Sequence, residues 1–214
     1  VRTLVFDAAR AAPDSQVAGF AQAWADGDRF WADARGSFVL VDAYDGGRAL
    51  TLAGHHDEIK AAAWLGDGVA SASRDGDELL WDLRPGAASG LLVGHTGEIV
   101  TAARSPAGGR LMTAGRDGSV RVWSLPDGGA EEVWRTPAAI ATAAWSPDGR
   151  AIVAGGLDGA VRVFVLGGGG RVVWRAGGAI VDARFFPDGK RLLVGALDGG
   201  LEIVAPDGGG AVAL

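Results

Sequence analysis

Short alternating apolar stretches recur along this chain, each closed by residues that favour turns. Val120-Arg121-Val122-Trp123 is one such stretch, and Val161-Arg162-Val163-Phe164 repeats it. Alternation with a period of two sends successive side chains to opposite faces of a strand. Asp67-Gly68, Asp148-Gly149 and Asp188-Gly189 separate neighbouring stretches, where glycine supplies positive φ and aspartate bonds nearby backbone. Between residues 54 and 93 the pattern predicts four short strands, at about Ile59–Trp64, Val69–Ser73, Glu78–Asp82 and Leu91–Val93. All eight prolines fall in predicted connections, which keeps them out of ladder positions.

The unit repeats. Corresponding turns at positions 35, 75, 117, 158 and 198 are separated by steps of 40, 42, 41 and 40 residues. A period of roughly 40–45 belongs to four-stranded propeller blades. The expected fold is therefore all-β, a propeller with five recognisable blades at about 17–52, 54–93, 94–135, 136–175 and 176–214, forming a single domain. Residues 1–7, VRTLVFD, read as a leading strand and 8–16 as a connection; the strand either adds to another blade and helps close the ring or is the remnant of a further repeat, in which case the five blades are a segment of a larger propeller and the remaining blades of a parent chain are among its partners. The first two strands of each unit are rich in Ala, Gly, Ser and Val, which suits the crowded inner edge of a blade. Trp81, Trp123, Phe164, Trp134 and Trp174 lie in third and fourth strands and are expected to fill the space between blades.

One unit is complete, and it resembles a WD40 repeat. It runs from Gly94 to Leu125, with Gly94-His95 at its head, Ser105-Pro106 in the first turn, Arg116-Asp117-Gly118 in the second and Trp123-Ser124 where the family usually has Trp-Asp. The unit before it carries Gly54-His55, Arg74-Asp75-Gly76 and a true Trp81-Asp82. Later units keep Trp145-Ser146-Pro147-Asp148-Gly149, Leu157-Asp158-Gly159, Phe186-Pro187-Asp188-Gly189 and Leu197-Asp198-Gly199, so the resemblance covers residues 17–205 and is strongest in the middle.

The resemblance implies two hydrogen-bonded tetrads, His55, Ser71, Asp75, Trp81 and His95, Thr113, Asp117, Trp123. The fourth unit has Thr136, Ala154, Asp158 and Phe164 at these positions, and the fifth has Ala176, Val194, Asp198 and Val204, so apolar packing is expected to replace the network in both. The resemblance also implies a non-enzymatic scaffold that binds protein or peptide partners on its faces and rim. Its candidate contact residues are Arg74 and Arg116, immediately before the turn aspartates, with Glu58, Lys60 and Glu98 nearby; Leu157 and Leu197 correspond to the two arginines. A second reading makes the chain a regulatory sensor module of a larger multidomain protein. A third, less favoured, is a propeller enzyme or metal-binding module.

Histidine, a hydroxyl and an aspartate at repeated spacing are also the residue types of a nucleophilic triad. A hydroxyl engaged by an indole in mid-strand is poorly presented to a substrate, so no catalytic residue is expected. His55-His56-Asp57-Glu58 are four consecutive ligand types, but alternate residues on an extended segment point apart, so no metal is expected either. The glycine clusters at Gly128-Gly129, Gly167–Gly170 and Gly208–Gly210 precede no helix and lack the Lys-Ser/Thr of a phosphate-binding loop, so they read as hairpin connections and no cofactor is expected.

Composition narrows the partners. With 20 basic and 26 acidic residues the net charge is −6, which argues against nucleic acid and anionic membrane surfaces as partners. The chain has no cysteine, which excludes disulfides and thiolate metal sites, and no asparagine, which excludes N-glycosylation. No apolar run approaches the ~20 residues of a membrane span, so a soluble, intracellular and cytoplasmic protein is expected.

Overall fold

The computed structural model describes residues 22–25, 28–32, 37–41, 49–64, 68–82, 90–125 and 129–213; of residues 22–53 only the backbone is described. The expected leading strand at 1–7 and connection at 8–16 lie outside these residues. The described residues form twenty strands and no helix, arranged as five antiparallel sheets of four. The first sheet contains β1 (Gln22–Ala25), β2 (Asp28–Ala32), β3 (Ser37–Val41) and β4 (Ala49–Ala53). The second contains β5 (Ile59–Trp64), β6 (Gly68–Ser73), β7 (Glu78–Asp82) and β8 (Gly90–Leu92). The third is β9 (Ile99–Arg104), β10 (Arg110–Gly115), β11 (Ser119–Ser124) and β12 (Ala130–Arg135). The fourth is β13 (Ile140–Trp145), β14 (Ala151–Gly156), β15 (Ala160–Val165) and β16 (Gly170–Arg175). The fifth is β17 (Ile180–Phe185), β18 (Leu192–Ala196), β19 (Leu201–Val204) and β20 (Ala211–Ala213). Every sheet is a meander in which each strand pairs with the next in sequence.

The chain divides into two compact units, Val1–Gly94 and His95–Leu214. In the second unit three sheets stack face to face as successive propeller blades. Met112, Ala114, Val120 and Val122 of the third sheet pack against Ile140, Trp145, Ile152 and Phe164 of the fourth. The other face of the fourth sheet presents Val153, Val161 and Val163 to Ile180, Ala183, Leu192 and Val194 of the fifth. Because this sheet is covered on both sides, AIVAGG and AVRVF read as near-continuous apolar runs and are buried along almost their whole length. Each large side chain buried here contributes about 1.5–3 kcal/mol.

First strands of adjacent sheets are neighbours, β9 with β13 and β13 with β17. They make the inner edge, where the room for side chains is smallest. A Cβ at Gly155 would lie 2.3 Å from Ile180 Cγ2, so the fifth sheet docks at this distance only against a glycine. Farther out, Trp134 stacks on Phe164 with centroids 5.2 Å apart. At the end of β13 the Trp145 indole N–H donates to the Ala103 carbonyl at 2.9 Å, tying the fourth sheet to the third.

A register shift follows the leading isoleucine of β5, β13 and β17 and accompanies the corresponding Ile99 of β9. Such a bulge leaves one residue outside the ladder and re-aims it. In β5 that residue is Lys60.

Candidate functional site

The four strands of a sheet bring residues far apart in sequence to one end. In the third sheet the loop before β9 carries His95, mid-β10 carries Thr113, the β10–β11 turn carries Asp117 and β11 carries Trp123. The Trp123 indole N–H donates to Thr113 Oγ1 at 2.8 Å, and that oxygen lies 3.0 Å from His95 Nε2. On the other side of the ring, His95 Nδ1 lies 3.1 and 3.0 Å from the two Asp117 oxygens. An indole can only donate, so the Thr113 proton is directed at Nε2 and the imidazole proton sits on Nδ1, facing the carboxylate.

Asp117 also accepts the backbone N–H of Thr96 (3.1 Å) and Ser119 (2.9 Å), and the Ser119 hydroxyl (2.8 Å). Burial pushes this carboxyl upward, but the Ser119 and Thr96 amides, the Ser119 hydroxyl and His95 together hold it at about 2. Burial lowers the pKa of His95, against the opposing charge of Asp117. Gly118, at φ +77, closes the turn; a Cβ there would meet the Thr136 carbonyl at 2.8 Å.

The second sheet repeats the arrangement with a difference. Trp81 Nε1 donates to Ser71 Oγ at 2.8 Å and Ser71 Oγ is 2.8 Å from His55 Nε2. His55 Nδ1, however, is 3.4 Å from Asp75 Oδ2 and outside hydrogen-bond geometry. Asp75 is held by the backbone N–H groups of His56 (2.7 Å) and Asp77 (2.9 Å). Burial again lowers His55; Asp75 is lowered although burial opposes it, through the amides of His56 and Asp77 and the charge of His55. Ser71 and Thr113 are both fully buried.

The fourth sheet overturns the expectation of apolar packing. Ala154 and Phe164 are buried as expected, but Arg162 reaches Asp158 from the strand opposite Ala154. Its Nη1 donates to Oδ1 at 3.0 Å and its Nη2 to Oδ2 at 2.5 Å, with the arginine side chain only 7% exposed. The fork, with the Ala160 amide, holds the Asp158 carboxyl at about 2 although burial opposes it. The physical reason is the missing relay: Ala154 lacks the hydroxyl and Thr136, whose hydroxyl bonds the Gly118 and Ala138 carbonyls, replaces the imidazole, so a planar guanidinium satisfies the turn carboxylate instead. Gly156 is part of this, since a Cβ there would lie 2.3 Å from Asp158 Oδ1 and 2.9 Å from Arg162 Nη1. The fifth sheet is apolar at the corresponding sites, with Val194 and Val204 buried and Asp198 exposed and accepting the Gly200 N–H at 3.0 Å.

The residues before the turn aspartates face solvent. Arg116 donates through Nε to Glu98 Oε2 at 2.7 Å, and its backbone N–H donates to the Glu98 carbonyl at 2.8 Å. In the second sheet Arg74 Nη1 lies 3.9 Å from Glu58 Oε2, Lys60 Nζ donates to the same oxygen at 2.6 Å, and the Arg74 N–H bonds the Glu58 carbonyl at 2.9 Å. The arginine side chains are 53% (Arg74) and 49% (Arg116) exposed. Leu157 and Leu197 are also exposed. Sequence reasoning missed Ser119, Arg162 and the double use of Glu58. Ser119 bonds a carboxylate two residues back in its own turn, whereas the contacts of Arg162 and Glu58 depend on strand register and side-chain reach.

Four-stranded antiparallel sheets, one of them closed by an indole–hydroxyl–imidazole–carboxylate chain, are the pattern of WD40 repeats, and two stretches of this chain are similar to that family. The family described as WD domain, G-beta repeat matches residues 87–124 and 133–164. Each match begins near the last strand of one sheet and ends at the third strand of the next, so the sequence repeat and the sheet are out of phase. The chain is 36% identical to Protein Notchless of Drosophila melanogaster over 84 residues, which is 36% of this chain and 17% of that protein. It is 33% identical to eukaryotic translation initiation factor 3 subunit I of Emericella nidulans over 95 residues, 44% of this chain and 28% of that one. Nuclear distribution protein PAC1 of Arthroderma benhamiae is 32% identical over 85 residues, 35% of this chain and 18% of its own length. The chain thus spans less than a third of each of these relatives. WD40 proteins are typically non-enzymatic interaction scaffolds. No helix among the described residues is long and apolar enough to cross a membrane.

Proposed function

We propose that this chain is a non-enzymatic platform that binds protein or peptide partners at the end of its sheets where the leading loops and the Asp-Gly turns meet. The observation that carries this reading is the tethered arginine. Arg116 stands one residue before a carboxylate locked by four donors, is drawn to Glu98 by side chain and backbone, and still exposes half of its side chain. One of its five N–H donors is used on Glu98, so an outer edge of the guanidinium is presented, already ordered, to an acceptor such as a peptide carboxylate. Ordering in advance lowers the entropic cost of binding. Arg74 with Glu58 and Lys60 offers a second such cluster on the second sheet. Against a catalytic role stands the burial of Ser71 and Thr113, whose oxygens already accept an indole proton. One relative is by name a subunit of a larger factor, and membership of a multiprotein assembly is the corresponding proposal for this chain.

The test is a displayed peptide library selected on the purified chain. Selected peptides should be rich in Asp or Glu and lose binding to Arg116→Glu or Arg74→Glu, yet keep it with Arg150→Glu, an exposed arginine beside the Ser146–Gly149 turn. Peptides indifferent to both leading-loop variants and sensitive to Arg150→Glu would place the contact elsewhere and refute the reading.

A further inference from the structure

The second sheet departs from the third in a way that a scaffold does not require. Where the third sheet has Thr96 and Ser119 flanking Asp117, the second has His56 and Asp77 flanking Asp75. A donor atom from each of His56, Asp75 and Asp77 lies within 4.8 Å of the other two. Beneath them His55 Nδ1 is fully buried, makes no hydrogen bond and is aimed at Asp75 Oδ2 from 3.4 Å. In the third sheet the corresponding imidazole closes on its carboxylate at 3.0 Å. Asp75 keeps the two rim amide bonds that Asp117 also makes, one to each oxygen, but lacks the imidazole bond, which leaves a further lone pair on each. The nearby cations are drawn elsewhere, since Lys60 and Arg74 both address Glu58.

We infer that His56, Asp75 and Asp77 bind one divalent transition-metal ion at the leading-loop end of the second sheet. One imidazole and two carboxylates suit Zn2+, Mn2+ or Co2+, whereas Ca2+ takes about 6–8 oxygens. Metal–ligand bonds of about 2.1 Å place ligands at most ~4.2 Å apart, so the set must close by a few tenths of an ångström or more. His56 is exposed and able to rotate inward. The buried His55 N–H is the outer donor that a metal-bound carboxylate needs. Reading along His55-His56-Asp57-Glu58 gave no convergent set because the partners of His56 come from across the sheet, in the β6–β7 turn.

Zn2+ titrated calorimetrically into the untagged chain is the test. Of its three histidines, the other two have their rings buried in tetrads, which limits competing imidazole sites. Expected are one Zn2+ per chain, a rise in melting temperature, and no such rise with Mg2+. His56→Thr and Asp77→Ser install the residues that the third sheet carries at these places; each should weaken Zn2+ binding by at least about tenfold while leaving the metal-free melting temperature unchanged. Asp57→Ala, an exposed acid outside the set, should bind as the parent does. No stoichiometric binding overturns the inference. So does binding that survives both ligand variants or is lost with Asp57→Ala, as an adventitious ion on surface carboxylates would behave.

Discussion

The third and fourth sheets share a backbone, a register and a turn aspartate, yet hold that aspartate by different chemistry. In the third, neutral groups relay from Trp123 through Thr113 and His95 to Asp117. In the fourth, a single arginine spans the same distance from the opposite strand and Ala154 and Phe164 complete the packing. Both carboxyls end at about 2. What is common is the demand of the turn: a carboxylate that orders the turn amides needs donors on its inner side. The difference lies in cost and in response to pH. The fork must repay the desolvation of a guanidinium that is only 7% exposed beside a carboxylate that still meets water, whereas the relay desolvates one ion, the Asp117 carboxylate.

The largest expected effect follows from that cost. Asp158→Ala leaves the Arg162 guanidinium buried without its carboxylate and should destabilise by about 3 kcal/mol, read from urea unfolding. Adding Arg162→Leu should recover most of the loss, since an apolar side chain fits the surrounding Val, Ala and Phe. A double variant no more stable than Asp158→Ala would mean that the fork is not the operative element. Next comes Asp117→Ala, which strands the His95 proton and two amides at about 2 kcal/mol. Its counterpart Asp198→Ala, exposed and holding one amide, should stay within about 0.5 kcal/mol. Equal losses at the two positions would erase the contrast between a braced and an unbraced turn.

Acid separates the two sheets further. Asp117 and Asp158 are depressed from 3.8 to about 2, so their stabilisation is fully present above pH 3.8 and disappears as pH falls through 2. His55 and His95 are lowered from 6.5 by burial, so the unfolded chain takes up protons first and stability begins to fall below pH 6.5. The tetrad sheets therefore respond in two pH ranges and the arginine sheet only in the lower one. His95→Gln should flatten the stability profile just below pH 6.5, and Arg162→Leu should leave that range unchanged. The smallest effect belongs to the surface: Arg116→Ala should cost less than about 1 kcal/mol despite its 2.7 Å contact with Glu98, because a half-exposed pair is screened by water.

The tetrad residues were legible in the sequence only through the resemblance to a WD40 repeat; the third sheet closes every link among them, and the second lacks the bond from His55 to Asp75. The role of Arg162 was not legible. It lies in the same register position as Arg121, opposite Ala154 where Arg121 is opposite Thr113, and an arginine in an alternating strand reads as solvent-facing in both cases. Only the missing hydroxyl and imidazole bring it to the turn. Lys60 was legible as a contact candidate, but its place outside the ladder depends on a bulge that no residue of β5 announces.

By itself the sequence determined the four-stranded unit, its repetition at about forty residues and the small residues at the inner edge, because these follow from alternation, turn chemistry and side-chain size. Tertiary structure decided which carboxylates are braced by imidazole and which by guanidinium, how closely Ile180 settles on Gly155, and that His56 meets Asp75 and Asp77. Those outcomes turn on distances across strands and on the volume that neighbouring side chains leave, and neither is written in the spacing of residues along a chain.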